Sequence, residues 1–265
     1  MSRAHADARM RAKALRTHGY TIVRETNVPR RLLDDIKADA LKRARYNGGQ
    51  RTSINDWANV IESVWWRLAE WCVDKDSTVG AIMDQAFGDC WFFDIAGGEA
   101  VAPHAPWASR ECSAHSDWKG VPMGIIVVSF IVHAHVTEDM APLVIYSNKN
   151  GRAERVTGSM GTVIMRDVSA IHHGSPNLSS QTVIKPCVRF LTAAALQQGY
   201  RPRAFLRSDV FQRFDQRTFM KMHFCCDSSE EEAAEPNRRF DTPPSLLCSI
   251  ESHDVGDDFS MADFP

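Results

Sequence analysis

The chain has 265 residues, 44% of them hydrophobic and 24% charged, and its formal net charge is −2. These values suit one globular domain with a tail, and so small a charge gives no reason to expect nucleic acid as a partner. No apolar run of about 18 residues is present, so no contact with a membrane is predicted. The first residues also lack the apolar stretch of a secretory signal, so the cytoplasm is the expected location.

The first part of the chain, residues 1–88, has the periodicity of helices. Its apolar side chains recur three and four positions apart, and glycines and a proline mark the predicted helix ends. The predicted elements are helices over 3–17, 30–45 and 55–73, a strand over 20–23, and a short helix that ends at Phe87. We therefore predict a mainly helical N-terminal part.

From position 89 to about 200, short runs of β-branched and aromatic residues replace the helical pattern. The predicted strands cover 90–95, 124–136, 143–146, 161–165 and 183–195, with a turn at Gly97-Gly98. Pro186 indicates that the last strand begins late or lies at a sheet edge, because proline cannot donate to a strand ladder. Since no helices separate these strands, we predict a mainly β sandwich or jelly roll with flanking helices.

The C-terminal segment differs in composition from the rest of the chain, because it is acidic and carries serine and proline. The tail either recruits a partner through Phe259 and Phe264 or is a solubilising or loosely packed extension, whose phenylalanines could pack back on the domain. The predicted organisation is one domain over 1–225, with a helical part over 1–88, a β core over 89–200 and a helix over 201–225, followed by a loosely ordered tail over 226–265.

A metal site is suggested by the segment Ser-Ala-His-Ser-Asp-Trp at positions 113 to 118. Its histidine and carboxylate, His115 and Asp117, are two residues apart and would share one face of a strand. They supply two of the three ligands of a 2-His-1-carboxylate site, which holds Fe(II) and leaves coordination positions open. The third ligand would be a distant histidine, for which we propose His172 or, as the alternative, its neighbour His173.

A second possible metal site lies at the end of the longest apolar run. His133 and His135 are also two residues apart, and Glu138 follows them. This pattern is similar to the His-x-His and Glu of cupins, although the glycine that cupins have six residues before the first histidine is Val127 here. Two histidines at the end of a buried strand are otherwise expected to cap the strand or to meet solvent.

The order of motifs after Asp117 resembles the phytanoyl-CoA dioxygenase family of Fe(II)- and 2-oxoglutarate-dependent oxygenases. A buried strand is followed by Pro-Leu, a Gly-led strand, Arg-Asp, and a histidine shortly before Ser-Pro-Asn at 175–177. The opening fits as well, with a helix that ends in Gly-Tyr, a Thr-Ile-Val-Arg strand, and then proline and a second helix. The resemblance covers about residues 10–200 and departs from the family at 140–141 and 146–149, near the expected site mouth.

The resemblance implies a double-stranded β-helix (jelly roll) core and an oxygenase activity. Alignment on Ser-Pro-Asn makes His172, rather than His173, the partner of His115 and Asp117 in binding Fe(II). The implied reaction oxidises a small organic molecule with dioxygen, with hydroxylation as the expected outcome, and decarboxylates the cosubstrate 2-oxoglutarate to succinate. The alternatives are a catalytically silent jelly-roll module with a partner-recruiting tail, and a cupin-type metalloenzyme that uses His133 and His135.

The resemblance defines less well which basic residue binds the far end of the cosubstrate; this residue is called the clamp. The family binds the far carboxylate of 2-oxoglutarate with a basic residue on the strand after the last histidine, and an ungapped alignment places Val183 there. Arg189 and Lys185 have the same parity along the strand as Val183. Arg189 would take the role if a short insertion lengthens the turn, and Lys185 is the fallback. Both side chains could instead face solvent.

Overall fold

The computed structural model describes residues 3–45, 52–56, 64–104, 113–117, 122–200 and 215–222. The tail predicted over 226–265 and most of the helix predicted over 201–225 lie outside these ranges. The helices are α1 Arg3–His18, α2 Arg30–Arg45, α3 Val64–Val73, α4 Thr78–Phe87, α5 Ala193–Gln197 and α6 Gln216–Met222. Among the described helices, none combines the length and apolar character needed to cross a membrane.

The strands form two main antiparallel sheets and one short pair. Their bounds are β1 Tyr20–Val23, β2 Thr52–Asp56, β3 Trp91–Val101, β4 Ile125–Phe130, β5 His135–Val136, β6 Leu143–Tyr146, β7 Ala153–Val156, β8 Gly158–Ser159, β9 Val163–Asp167, β10 His172–Gly174 and β11 Val183–Thr192. The large sheet has the order β1-β9-β4-β11-β3-β2, and the small sheet has the order β10-β6-β7. β5 and β8 pair with each other.

The faces of the large sheet explain why β4 is a continuous apolar run. Ile126, Val128 and Phe130 belong to the core that the sheet forms with the helices, which contribute Leu33 and Trp65 among others. The alternate residues on the opposite face line a cavity between the two sheets. Both faces of β4 are therefore covered, and a strand covered on both faces needs no alternating polar residues.

Several predicted element boundaries were wrong because tertiary contacts override the local pattern. The run at 124–136 is interrupted by a bend at His133 and Ala134, and residues 52–56 form a strand where a helix was predicted to begin. The predicted turn at Gly97-Gly98 lies inside β3. A Cβ atom on Gly98 would be 2.4 Å from the Lys185 carbonyl oxygen, so glycine here permits close approach of β11.

Pro186 lies in the central strand of the large sheet rather than in an edge strand. β11 pairs with β3 along its whole length, from Val183 to Thr192, but its pairing with β4 begins only at Cys187. At Pro186 the strand therefore has a paired neighbour on one side only. This local edge accommodates the missing N–H group.

Candidate metal centre

Three side chains predicted as metal ligands converge at one end of the cavity. One ligand atom from each of His115, Asp117 and His172 lies within 4.8 Å of the other two. Asp117 Oδ1 is 3.6 Å from His115 Nε2 and 3.5 Å from His172 Nε2. Across the described ranges, this is the one cluster of His, Cys, Asp or Glu side chains with such a geometry. The structure thus brings together residues that are up to 57 positions apart in the chain.

Backbone pairing places the two histidines side by side. His115 and His172 form an antiparallel bridge, in which each N–H donates to the other's carbonyl oxygen at 3.0 and 2.9 Å. His172 belongs to β10, so the bridge adds position 115 to the edge of the small sheet. The N–H of Asp117 donates to Val168 at 3.2 Å, which holds the carboxylate next to the two rings.

The hydrogen bonds of both rings suit metal binding. Nδ1 of His115 lies 2.8 Å from the Ser113 carbonyl oxygen, and Nδ1 of His172 lies 2.9 Å from that of Ala170. A carbonyl oxygen only accepts, so each Nδ1 carries the proton and a neutral ring presents the lone pair of Nε2. The two Nε2 atoms are the ring nitrogens that face Asp117 Oδ1. Two oriented imidazoles and a carboxylate fit a divalent metal such as Fe(II).

The second oxygen of Asp117 is held by an arginine that the sequence patterns did not identify as a site residue. Arg166 Nη2 donates to Asp117 Oδ2 at 2.7 Å. Burial alone raises the pKa of the Asp117 carboxyl, but the neighbouring His172 and the charge and hydrogen bond of Arg166 lower that pKa well below its ordinary value. Asp117 is therefore an anion, as a metal ligand must be.

The cavity that opens beside this cluster has mostly apolar walls. Among the described residues that line it, the charged ones are Glu99, Asp117, Arg166 and Lys185. Its apolar walls include Phe130, Ile131, Val136, Met140, Leu143, Val156, Ile164 and Val183. An apolar pocket with a few convergent polar groups is the usual form of a small-molecule site.

Of the two predicted basic clamp residues, Lys185 lines this cavity. Its Nζ lies 3.9 Å from the point where a Cβ atom on Gly174 would be, so the side chain spans from the large sheet to the small sheet. Gly174 is two residues after His172 on β10. Lys185 also lies directly opposite Glu99 in the pairing of β11 with β3.

Arg189, the preferred clamp residue, is engaged elsewhere. Its guanidinium forms an ion pair with Asp94, whose side chain is 1% exposed, and its Nε donates to that carboxylate at 2.9 Å. The pairing of β11 with β3 shifts between Arg189 and Phe190, and this irregularity places Asp94 beside the arginine. Arg189 is not among the residues that line the cavity.

The second proposed metal pair does not converge. His133 is 2% exposed, and its Nε2 accepts a hydrogen bond from the Ile184 N–H at 2.9 Å. His135 and Glu138 are exposed, and the bend at 133–134 breaks the alternation that would have put both histidines on one face. The cupin-type site is therefore not formed.

His173, the alternative third ligand, lies on the other face of β10 from His172. Its ring is 5.9 Å from the ring of Tyr146, and it does not line the cavity.

One signal in the sequence could have identified Arg166. It follows Val163, Ile164 and Met165 in a strand that is otherwise apolar, six residues before His172. A charged residue in a buried strand requires a partner, and this one finds Asp117.

Comparison with known proteins gives matches at the level of the fold. No protein-family model matches the chain, and no curated protein matches it. Three solved structures illustrate the similarity. The epimerase SnoN, crystallised with Fe3+, alpha-ketoglutarate and nogalamycin RO, is 12% identical with a TM-score of 0.55, over 71% of this chain and 84% of SnoN. EctD from S. alaskensis with bound Fe is 14% identical with a TM-score of 0.55, over 74% of this chain and 78% of EctD.

The third structure is AviO1 from Streptomyces viridochromogenes Tue57, which is 13% identical with a TM-score of 0.54. The alignment covers 70% of this chain and 95% of AviO1. At such identities the similarity concerns the fold, and it agrees with the two antiparallel sheets of this chain. The predicted fold class is therefore confirmed: the chain has a double-stranded β-helix (jelly-roll) core with flanking helices.

Proposed function

We propose that this protein is an Fe(II)- and 2-oxoglutarate-dependent dioxygenase that oxidises a small organic molecule. The observation that carries the proposal is the convergence of His115, Asp117 and His172 at one end of an apolar cavity. The proposal is supported by the solved structures of the same fold, since SnoN was crystallised with Fe3+ and alpha-ketoglutarate and EctD with Fe.

In this proposal His115, Asp117 and His172 would hold the iron through two Nε2 atoms and Asp117 Oδ1. Bound Fe(II), together with 2-oxoglutarate and dioxygen, supplies the oxidising chemistry. One oxygen atom enters the substrate as a hydroxyl group. The other enters succinate, which forms from 2-oxoglutarate with release of carbon dioxide.

The residues of this chain would prepare the site in three ways. The carbonyl oxygens of Ser113 and Ala170 fix the ring orientation of the two histidines. Arg166 keeps Asp117 anionic and directs its Oδ1 towards the rings. The apolar cavity walls position the substrate by shape beside a centre whose His115 and Asp117 side chains are exposed.

Lys185 is proposed to bind the far carboxylate of 2-oxoglutarate. Its Nζ lies close to Gly174, which is about 7 Å along β10 from the metal ligand His172. A five-carbon diacid that reaches from the metal towards the cavity interior would place its second carboxylate in this region. Arg189 is excluded from the role in this proposal, because the buried Asp94 already holds its guanidinium.

The test is iron-dependent formation of succinate from 2-oxoglutarate. The protein is purified without oxygen, loaded with Fe(II), and incubated aerobically with 2-oxoglutarate and a panel of small organic molecules. Wild-type protein should form succinate, and Asp117→Ala should lose at least a factor of about 100, since the metal loses its only anionic ligand. His135→Ala and Glu138→Ala are matched controls, because both side chains are exposed outside the cavity.

Two outcomes would contradict the proposal. If no panel member supports iron-dependent succinate formation and Asp117→Ala binds metal as the wild type does, the silent binding module is the better description. If His135→Ala and not Asp117→Ala abolishes metal binding, the metal lies at the cupin-type position instead.

A further inference from the structure

Arg166 is a buried cation in the wall of the cavity, next to the candidate metal centre. It lies on β9 in the large sheet, and its side chain is 10% exposed. The side chain lines the same cavity as His115, Asp117 and His172. A guanidinium carries five N–H donors, and burial without hydrogen-bond partners for them is costly.

The protein satisfies only part of this hydrogen-bonding capacity. Arg166 Nη2 donates to Asp117 Oδ2 at 2.7 Å. Arg166 Nη1 is buried and has no hydrogen-bond partner among the described residues. A planar guanidinium is suited to bridge two carboxylates, one on each side of its fork. No described residue offers a second carboxylate to Nη1, and a ligand in the cavity can supply one.

The formal charges of the cavity indicate how many negative charges such a ligand carries. Among the described residues that line the cavity, Arg166 and Lys185 balance Asp117 and Glu99, so the formal charges of these residues sum to zero. A divalent metal on two neutral histidines and Asp117 would then leave two positive charges. A dianion cancels them, which matters most beside Arg166, since a buried charge is stable only when it is compensated. After 2-oxoglutarate has bound, an uncharged substrate completes the balance.

The two cations lie apart in the sheet. Arg166 shares a row of the sheet with Val127 and Arg189, and Lys185 precedes Arg189 by four positions on β11. Four residues of a strand span about 13 Å, and β9 and β11 are two strand spacings, about 10 Å, apart. The long side chains therefore enter the cavity from separate places. A ligand with a carboxylate at each end matches this arrangement.

We propose that Arg166 binds the carboxylate of 2-oxoglutarate that adjoins its keto group, while Lys185 binds the far carboxylate, and that the cavity takes an uncharged substrate. This inference rests on the proposed function. The inference extends the proposed function in two respects. It assigns a ligand-binding role to a residue on β9, outside the strand where the basic residue was expected, and it names a substrate class.

A comparison of pyruvate with 2-oxoglutarate distinguishes binding of the carboxylate beside the keto group from binding of the far carboxylate, because pyruvate has the keto acid group but no far carboxylate. Each acid is titrated by calorimetry into protein loaded with Mn(II), which does not turn over. Arg166→Gln should weaken both acids by about 10-fold or more, the usual loss of a hydrogen bond to a charged group. Lys185→Gln should weaken 2-oxoglutarate similarly and leave pyruvate unchanged.

Arg155→Gln is the matched control, because Arg155 is on β7, is exposed and does not line the cavity. It should bind both acids as the wild type does. The affinity for Mn(II) alone is measured for every variant, and Arg166→Lys is included because it keeps the charge beside Asp117. Arg166→Lys should retain Mn(II) and lose affinity for both acids, since an ammonium cannot bridge two carboxylates as a guanidinium does.

The assignment is overturned if Arg166→Gln binds both acids as tightly as the wild type. It is also overturned if both Arg166 variants lose Mn(II), because the arginine then acts only through Asp117. If wild-type protein binds Mn(II) but neither acid, the result contradicts the proposed function itself. If an acidic substrate competes with pyruvate for Arg166 in the wild type and is turned over, the assignment of an uncharged substrate fails.

Discussion

His133 shows how one buried side chain can make stability depend on pH. Its Nε2 accepts a hydrogen bond from Ile184 N–H, and burial, with the nearby charge of Lys37, lowers its pKa to about 4. In the unfolded chain the pKa is about 6.5, so between these values the unfolded state binds more protons. The free energy of unfolding therefore falls as the pH falls through this window, by about 2 kcal/mol from pH 7 to pH 5.

The measurement is urea unfolding of the wild type and His133→Gln at both pH values. Glutamine offers an acceptor for the Ile184 N–H but does not titrate, so the variant should lose this part of the pH dependence. His135→Gln is the control, since His135 is exposed and should keep the wild-type behaviour. An equal pH dependence in the wild type and His133→Gln would contradict the prediction.

Residue spacing predicted the pair His115 and Asp117 as neighbours, and the structure places them together with His172. Residue spacing could not identify which basic residue lines the cavity, because strand parity puts Lys185 and Arg189 on the same face. What separates them is the irregular pairing of β11 with β3, which brings Asp94 to Arg189. Such an irregularity depends on contacts between strands that are about 95 positions apart, and a local pattern does not contain them.

At the scale of elements, β11 is the strand that carries Lys185, and Gly98 controls the approach of β11 to β3. A Cβ atom on Gly98 would lie 2.4 Å from the Lys185 oxygen and 2.8 Å from Pro186 Cα, both of them backbone atoms that cannot move aside alone. We expect Gly98→Ala to lower the free energy of unfolding by about 3 kcal/mol, the upper range for overpacking. Urea unfolding followed by circular dichroism measures the loss.

Gly151→Ala serves as the comparison for this variant. Gly151 has a φ of +66°, and a Cβ atom added there would meet no atom within 4 Å, so only the left-handed backbone is penalised. Gly151→Ala should lower the free energy of unfolding by about 1 kcal/mol. A Gly98→Ala protein as stable as Gly151→Ala would show that β3 and β11 can separate without cost.

The same glycine explains where the element predictions failed. Runs of β-branched residues identified β4, β6 and β9, because side-chain shape and burial act locally. Gly97-Gly98 was predicted as a turn because glycine favours turns, whereas here it lets two backbones meet. The last two residues of the strand Thr52–Asp56 were predicted as the start of a helix, because the place of this strand is set by pairing with β3 rather than by its own residues.

At the scale of the whole molecule, the structure has three layers, and stability and function depend on different pairs of them. The helices pack on one face of the large sheet, where Trp65, Trp91 and Phe190 are fully buried. The small sheet covers the other face and leaves the cavity between the layers. The ligands of the candidate centre come from the small sheet and its edge, while Arg166 and Lys185 come from the large sheet. Ligand binding should therefore join the two sheets.

Joining the sheets predicts a ligand-dependent gain in thermal stability. At a free concentration about 100 times the Kd, a ligand that binds only the folded state adds about 2.7 kcal/mol. For a domain of this size that gain raises Tm by about 5–10 °C. We expect Mn(II) with 2-oxoglutarate to give this shift in wild-type protein and EDTA to abolish it, as measured by differential scanning calorimetry. His172→Ala should show no shift, because it removes the ligand that anchors the metal to β10, whereas Glu138→Ala should shift as the wild type does. A full shift in His172→Ala would place the stabilising ligand away from this centre, and the link between metal binding and the packing of the two sheets would not hold.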